Sequence, residues 1–258
     1  MEQILNISNL SIGFVNKKQN SVIASHINLS IDEPKFIALI GRNGIGKSTL
    51  LRTIAKVQPY LSGEIHIFRK NINTLSNLEV SKKISLVLTE KIPPSNLTVF
   101  ELIALGRQVY TNWIGTLHKK DYQKINDAIT FTEIEHLKEK KIDELSDGEY
   151  QKVMIARAIA QDTPLIILDE PTAHLDLSNK AFIFKLLNRL VEEFNKTVII
   201  SSHELQLALQ VVDDFWILSE TDFTSINKQG VIENDLFNKL FSSKSIQFNK
   251  EDNTFRIK

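Results

Sequence analysis

Residues Gly41-Arg42-Asn43-Gly44-Ile45-Gly46-Lys47-Ser48-Thr49 carry the pattern G-x-x-x-x-G-K-[ST], which few folds accommodate. Glycines let backbone N–H groups turn inward around phosphate oxygens, and a helix that follows presents its positive N-terminal end to the same anion. A lysine placed there reaches the β- and γ-phosphates, and the adjacent hydroxyl ligates Mg²⁺. Gly41, Asn43, Gly44, Gly46, Lys47, Ser48 and Thr49 are therefore candidate nucleotide contacts, with Ser48 also a candidate metal ligand. A plain glycine-rich turn is the bland alternative. The flanks speak against it, because an apolar strand, Phe36–Ile40, precedes the loop and a helical run, Thr49–Lys56, follows it.

The rest of the chain alternates in the way such a loop requires. Runs rich in Ile, Val and Thr predict strands at Ile4–Val15, Ile27–Ile31, Phe36–Ile40, Glu64–Phe68, Ile84–Leu88, Leu165–Leu168, Thr197–Ser201 and Phe215–Leu218. Leu165–Leu168 and Thr197–Ser201 are apolar almost throughout, the pattern of parallel strands buried on both faces. Phe184, Leu187, Val191 and Phe194 recur at helical steps in Asn179–Phe194, and Leu205, Ala208, Leu209 and Val212 share one side of a helix after His203. From about Pro93 to Asp143 the character changes. This stretch opens on Pro93-Pro94, is polar and helical, and contains the loop-like Thr111-Asn112-Trp113-Ile114-Gly115. It reads as a helical subdomain inserted between two halves of an α/β core. The tail from about Asp222 carries little pattern.

A second pair of groups fits the loop. Pro164-Leu165-Ile166-Ile167-Leu168-Asp169-Glu170 delivers two carboxylates at the end of an apolar strand, where open α/β sheets bind ligands. Asp169 is placed to hold Mg²⁺, and Glu170 to orient or deprotonate an attacking water. Alone, an acidic strand end is more often a helix cap; behind a phosphate loop it points to hydrolysis.

Composition narrows the class further. In 258 residues the 31 basic and 31 acidic side chains cancel, which gives no electrostatic reason for nucleic-acid binding or for a cationic membrane face. Without cysteine, neither a disulfide framework nor a thiolate metal site is possible. The first residues lack the pattern of a secretory signal, and no apolar run approaches the ~20 residues of a membrane span. The expectation is a soluble protein that reaches a membrane only through a partner.

Leu145-Ser146-Asp147-Gly148-Glu149, just before the helical run Tyr150–Gln161, resembles the Leu-Ser-Gly-Gly-Gln signature of the ABC ATPase family, and the resemblance spans nearly the whole chain in the family's order. It implies a P-loop NTPase core with an N-terminal antiparallel β-portion and the inserted helical subdomain, in one domain over 1–258. Its parts would be a first half of the core over 1–92, the subdomain over 93–144, signature and second half over 145–221, and the tail over 222–258. The resemblance also implies roles. Phe14 looks like the aromatic that stacks on adenine, and Glu90 falls at the Q-loop glutamine, a metal ligand. Pro171-Thr172-Ala173-His174-Leu175-Asp176 resembles the D-loop, and His203 the switch histidine that contacts the γ-phosphate. Ser146 and Gly148 would face ATP held by a second subunit. The cofactors implied are ATP and Mg²⁺. The partners implied are a second copy in a homodimer, integral membrane permease subunits and, indirectly, a periplasmic substrate-binding protein, with no nucleic acid. The expected location is the cytoplasmic face of the inner (plasma) membrane.

The chain departs from the family pattern at four places. Asp147 stands for glycine, Glu149 for glutamine, Glu90 for glutamine and Phe14 for tyrosine. None removes a group hydrolysis needs. Rival readings fail on specific residues. Asn249-Lys250-Glu251-Asp252 matches a guanine-reading N-K-x-D, but no glycine has an aspartate three residues before it, so the Asp-x-x-Gly switch of a GTPase is missing. DNA-repair relatives carry a long heptad-patterned insertion, and translation relatives carry two cassettes; neither occurs here. A non-catalytic scaffold predicts loss of Lys47 or Glu170. Finally, Leu97-Thr98-Val99-Phe100-Glu101-Leu102-Ile103-Ala104-Leu105-Gly106-Arg107, then Tyr110-Thr111-Asn112-Trp113, resembles ATPases of importers for iron-siderophore, haem and vitamin B12 complexes. An importer for another small nutrient, or a non-transport P-loop switch, is the alternative.

Overall fold

The computed structural model describes residues 3–14, 21–90, 92–93, 95–220, 222–240 and 246–257. Val15 and Pro94, part of the sequence expectations above, lie outside them. The chain opens with a meander of β1 (Leu5–Phe14) and β2 (Ser21–Ile31), then enters the core at β3 (Phe36–Ile40). The phosphate loop joins β3 to α1 (Lys47–Ile54), after which β4 (Ser62–Ile67) and the short β5 (Lys70–Asn71) return to the first sheet. That sheet is antiparallel, in the order β2-β1-β4-β5. It is the N-terminal β-portion.

A short α2 (Asn77–Ser81) leads to β6 (Ile84–Val87), and the helical insertion follows: α3 (Val99–Ala104), a 3₁₀ stretch over Leu105–Tyr110, and α4 (Lys119–Phe131). The chain returns through α5 (Asp147–Ala160), β7 (Leu165–Leu168), α6 (Leu177–Phe194), β8 (Thr197–Ser201), α7 (Leu205–Val211) and β9 (Asp214–Leu218). The second sheet has the order β10-β9-β3-β8-β7-β6, where β10 is Phe223–Asn227. Its pairings are parallel except at the β9–β10 edge.

Burial explains the apolar strand runs. In β3, Phe36, Ala38 and Ile40 join the core under the helices, while Ile37 and Leu39 join the core under the antiparallel sheet. Ile166 and Leu168 of β7 divide from Leu165 and Ile167 in the same way. With both faces covered, a strand has no reason to alternate with polar residues. In α6 the buried stripe runs through Ile183, Phe184, Leu186, Leu187 and Leu190. Of the residues expected there, Phe184 and Leu187 are buried and Val191 is half-buried. Phe194 is exposed, its ring edge-on to Phe131 at 5.2 Å. α5 begins at Asp147 rather than Tyr150, because Ser146 caps it. α1 begins at Lys47 rather than Thr49.

The insertion is closed at its base. Val99 and Phe100 N–H groups donate to the Lys140 and Lys138 carbonyls at 2.9 and 3.1 Å, and Ile142 N–H donates to Leu97 O at 3.1 Å. The outgoing and returning chains are thus stitched side by side. Local chemistry also accounts for the Thr98–Arg107 run. Thr98 and Glu101 form a capping box on α3. Gly106 lies where a Cβ would clash with Arg157 O, so only glycine lets this stretch pack on α5. Arg107 and Asp121 are both buried and pair at 2.9 Å, while Arg107 Nη1 donates to Ala160 O at 2.8 Å. Burial pushes the Asp121 carboxyl up, but the His118 N–H and the Arg107 guanidinium outweigh it and hold the group below the usual carboxylate range. Its contribution to stability is therefore present above the unfolded carboxylate pKa of about 4 and lost as pH falls below it. Arg107→Ala leaves that charge buried and unpaired. The expected loss is about 3–5 kcal/mol in denaturant unfolding near neutral pH. A loss under 1 kcal/mol would mean the pair does not tie the insertion to α5.

The tail folds against the core. It comprises α8 (Lys228–Glu233), α9 (Leu236–Leu240) and a hairpin of β11 (Ile246–Asn249) and β12 (Thr254–Ile257). Phe237 contacts Phe215, Phe248 and Phe255 at ring distances of 5.6, 5.0 and 5.5 Å. The N-K-x-D match lies in the hairpin turn, where Asn249 Oδ1 accepts from Glu251 N–H and Asp252 Oδ1 from Thr254 N–H. Local turn bonding explains these residues without a base to read.

Candidate active site at the phosphate loop

The loop lies at the C-terminal end of β3, and two of its glycines hold left-handed backbone, Gly44 at φ 76° and Gly46 at φ 112°. A Cβ on Gly46 would clash with Ile23 Cγ2 of β2, so the loop is pressed against the antiparallel sheet. Ser21, two residues before Ile23, pairs with Phe14. Phe14, half-exposed, therefore ends the sheet that abuts the loop, which suits a ring offered to a base.

Lys47, the first residue of α1, is only 4% exposed. Its ammonium donates to Gly41 O at 3.1 Å and Arg42 O at 3.3 Å, and lies 3.1 Å from His203 Nε2 and 3.7 Å from Glu170 Oε1. Burial lowers its pKa, and the Glu170 and Asp169 carboxylates oppose that shift. A buried cation curled onto loop carbonyls, with two carboxylates facing it, is a group ready to exchange these partners for phosphate oxygens.

β7 ends at the same place. Asp169 is 2% exposed and accepts from Ser201 Oγ at 2.7 Å; Ser201 Oγ in turn accepts from Glu170 N–H at 2.8 Å. One hydroxyl therefore orients both members of the acidic pair. Glu170 adopts φ 49°, uncommon for a side-chain-bearing residue outside a turn, and its Oε1 lies 3.1 Å from His203 Nε2. Strain of this kind persists where the surroundings enforce it. Thr89 Oγ1 donates to Asp169 O at 2.9 Å. The structure thus brings Lys47, Asp169, Glu170 and His203 together, with Ser48 half-buried beside Lys47 on α1.

Other expected contacts lie outside this hydrogen-bonded group. Glu90 pairs with Arg52, whose Nη2 is 2.5 Å from Glu90 Oε1. Ser146 caps α5: its hydroxyl accepts from Glu149 N–H at 3.3 Å and donates to the Glu149 carboxylate at 2.8 Å, and its N–H donates there at 2.9 Å. Those Ser146 bonds hold the Glu149 carboxyl below its usual range, with Lys140 assisting. Glu149 closes this box as glutamine would, so the departure costs the helix nothing. Gly148 faces Asn179 of α6, 3.1 Å from the position of a Cβ. Asn179 also donates to the α6 cap Asp176, the last residue of the D-loop match, in which His174 takes φ 63°.

Sequence reasoning missed Ser201, Thr89 and Arg52. Only Ser201 left a signal, a hydroxyl ending an apolar strand two residues before His203.

A strand–glycine loop–helix with a buried lysine facing an aspartate–glutamate strand end defines a P-loop nucleoside triphosphatase. The comparisons with known proteins narrow this class. Residues 24–173 match the family described as ABC transporter. The chain is 35% identical over 256 residues to an uncharacterised ABC transporter ATP-binding protein of Methanocaldococcus jannaschii, covering 99% of this chain and 87% of the relative. It is 36% identical over 204 residues to an iron(3+)-hydroxamate import ATP-binding protein of Bacillus subtilis, covering 79% of this chain and 74% of that one. Among solved structures it is similar to a dimeric post-hydrolysis state of an ATP-binding cassette bound to ADP and phosphate. That match has a TM-score of 0.75 and 27% identity, covering 87% of this chain and 99% of the other. The chain belongs to the ABC transporter family, as an ATP-binding and ATP-hydrolysing subunit. Among the described residues no helix is long and apolar enough to cross a membrane.

Proposed function

We propose that two copies of this chain clasp two MgATP molecules and power import of a chelated iron compound through membrane permease subunits. The observation that carries the hydrolytic part is the junction of Lys47, Asp169, Glu170 and His203 around one loop. Lys47 holds the β- and γ-phosphates, Glu170 orients the attacking water and accepts its proton, and His203 bonds the γ-phosphate. Among the described residues no cluster of three or more His, Asp or Glu is placed to hold a metal ion. Mg²⁺ binds through one or two carboxylates together with the substrate's phosphates and water. Ser48 and Asp169 would hold it, and it would neutralise charge developing between the β- and γ-phosphates.

Ser146 supports the two-copy reading. None of its hydrogen bonds among the described residues reaches the Lys47 group, yet it opens a 14-residue helix whose N–H groups favour an anion. A facing subunit would supply that anion.

A cleft of about 650 Å³ beside the end of α1 supports the permease partner. Ala55, Val57, Leu78, Val80, Ile84 and Leu86 line it, and Val57 and Leu78 are exposed. An amphipathic helix fits such a groove. Chelated iron as the cargo rests on the hydroxamate-import relative. Reconstituted in vesicles with its permease and binding protein, the ATPase should be stimulated severalfold by a loaded ferric hydroxamate. Stimulation by cobalamin or another nutrient instead would reassign the cargo.

A further inference from the structure

Arg52 has no part in the chemistry above, yet it sits five residues beyond Lys47 and directs its guanidinium at Glu90. The Arg52 side chain is 31% exposed and that of Glu90 65%. Arg52 Nε is buried and makes no hydrogen bond among the described residues, so the inner edge of the guanidinium lies in protein while its outer edge meets the carboxylate. The planar guanidinium fork is pre-organised and loses little freedom when it pairs. Glu90 lies on the segment that leaves β6 for the helical insertion, and that segment is fastened twice more. Thr89 Oγ1 donates to the carbonyl of Asp169, and Ile92 N–H donates to the Tyr150 hydroxyl at 2.9 Å. Tyr150 stands on α5, four residues after Ser146. Within four residues, the junction is tied to the strand of the acidic pair, to the phosphate-loop helix and to the signature helix.

We propose that Arg52 and Tyr150 are positioning residues that clamp this junction, and that Glu90 acts here through its ion pair with Arg52 rather than on the metal. A glutamine at 90 could accept a hydrogen bond from Arg52 but could not form the ion pair, so the departure from the family residue has a partner in the same chain. The clamp fixes where Ser146 stands relative to Lys47 of its own subunit. In the two-copy reading, on which this consequence rests, that relation decides whether both sites of a dimer close together. Loss of the clamp should weaken association of subunits while leaving ATP binding by one subunit as it was.

Charge reversal tests this, with hydrogen exchange of the nucleotide-free chain as the first readout. Arg52→Glu and Glu90→Arg should each speed exchange at Ile92 and over 97–104 about five- to tenfold, the scale of a partly exposed ion pair replaced by a like-charge one. The double swap, which rebuilds the pair in reverse, should return exchange to within about twofold of the parent. Tyr150→Phe should speed exchange at Ile92. The second readout is MgATP-driven association in the Glu170→Gln background. Arg52→Glu and Tyr150→Phe should weaken it with an unchanged MgATP Kd, and the swap should restore it. If the swap behaves as Glu90→Arg does alone, the carboxylate at 90 is needed in its own right and the proposal falls. It falls equally if single reversals leave exchange unchanged. A Glu170→Gln parent that never associates would overturn the two-copy reading, while exchange still judges the clamp.

Discussion

Glu170→Gln is expected to lower ATP turnover by about 100-fold or more while leaving MgATP binding in place. A positioned base contributes about 10²–10⁴ to a rate, and Glu170 is the group placed to act as one. Its N–H is fixed by Ser201, its φ of 49° turns it out of the strand line, and its Oε1 meets His203 Nε2 at 3.1 Å. The amide keeps the shape and an oxygen for His203 but cannot take a proton from water. Binding survives because Lys47 keeps its place, and because the substitution removes a negative charge 3.7 Å from the lysine proposed to receive the phosphates. Steady-state hydrolysis and isothermal titration with MgATP together decide this. Unaltered turnover would remove Glu170 from its role.

Much of this site was legible because its chemistry is local. Gly41–Thr49 and Leu165–Glu170 each place their polar groups at the end of a strand whose apolar run was plain, and β3, β7 and β8 fall at the expected residues. Boundaries governed by capping were less legible. The start of α5 at Asp147 follows from the Ser146–Glu149 box, in which a side chain extends the helix backward from its apolar face. The tail was unreadable for a different reason. Its order comes from long-range aromatic contacts of Phe237 with Phe215 and Phe248, which leave no period in the sequence. Ion pairs such as Arg52–Glu90 and Arg107–Asp121 join residues far apart along the chain, and only the fold brings them together.

The central claim is that each active site is completed by the facing subunit, and Ser146 tests it. Ser146→Arg places a long side chain at the cap of α5, where it spoils only the site that this Ser146 would complete on the facing chain's ATP, while Lys47 of the same chain is untouched. Lys47→Ala removes the buried ammonium proposed to bind phosphate and leaves Ser146 intact. A homodimer of either variant has no complete site. Mixed together, they form one complete site, the Lys47 of one chain facing the Ser146 of the other. The measurement is capture of one tagged variant by the other with and without MgATP, both in the Glu170→Gln background so that bound ATP persists. MgATP-dependent capture is predicted for the mixture, with no association of either variant alone. Ser146→Arg protein that, with Glu170 restored, hydrolyses ATP at the wild-type rate as a monomer would contradict the claim.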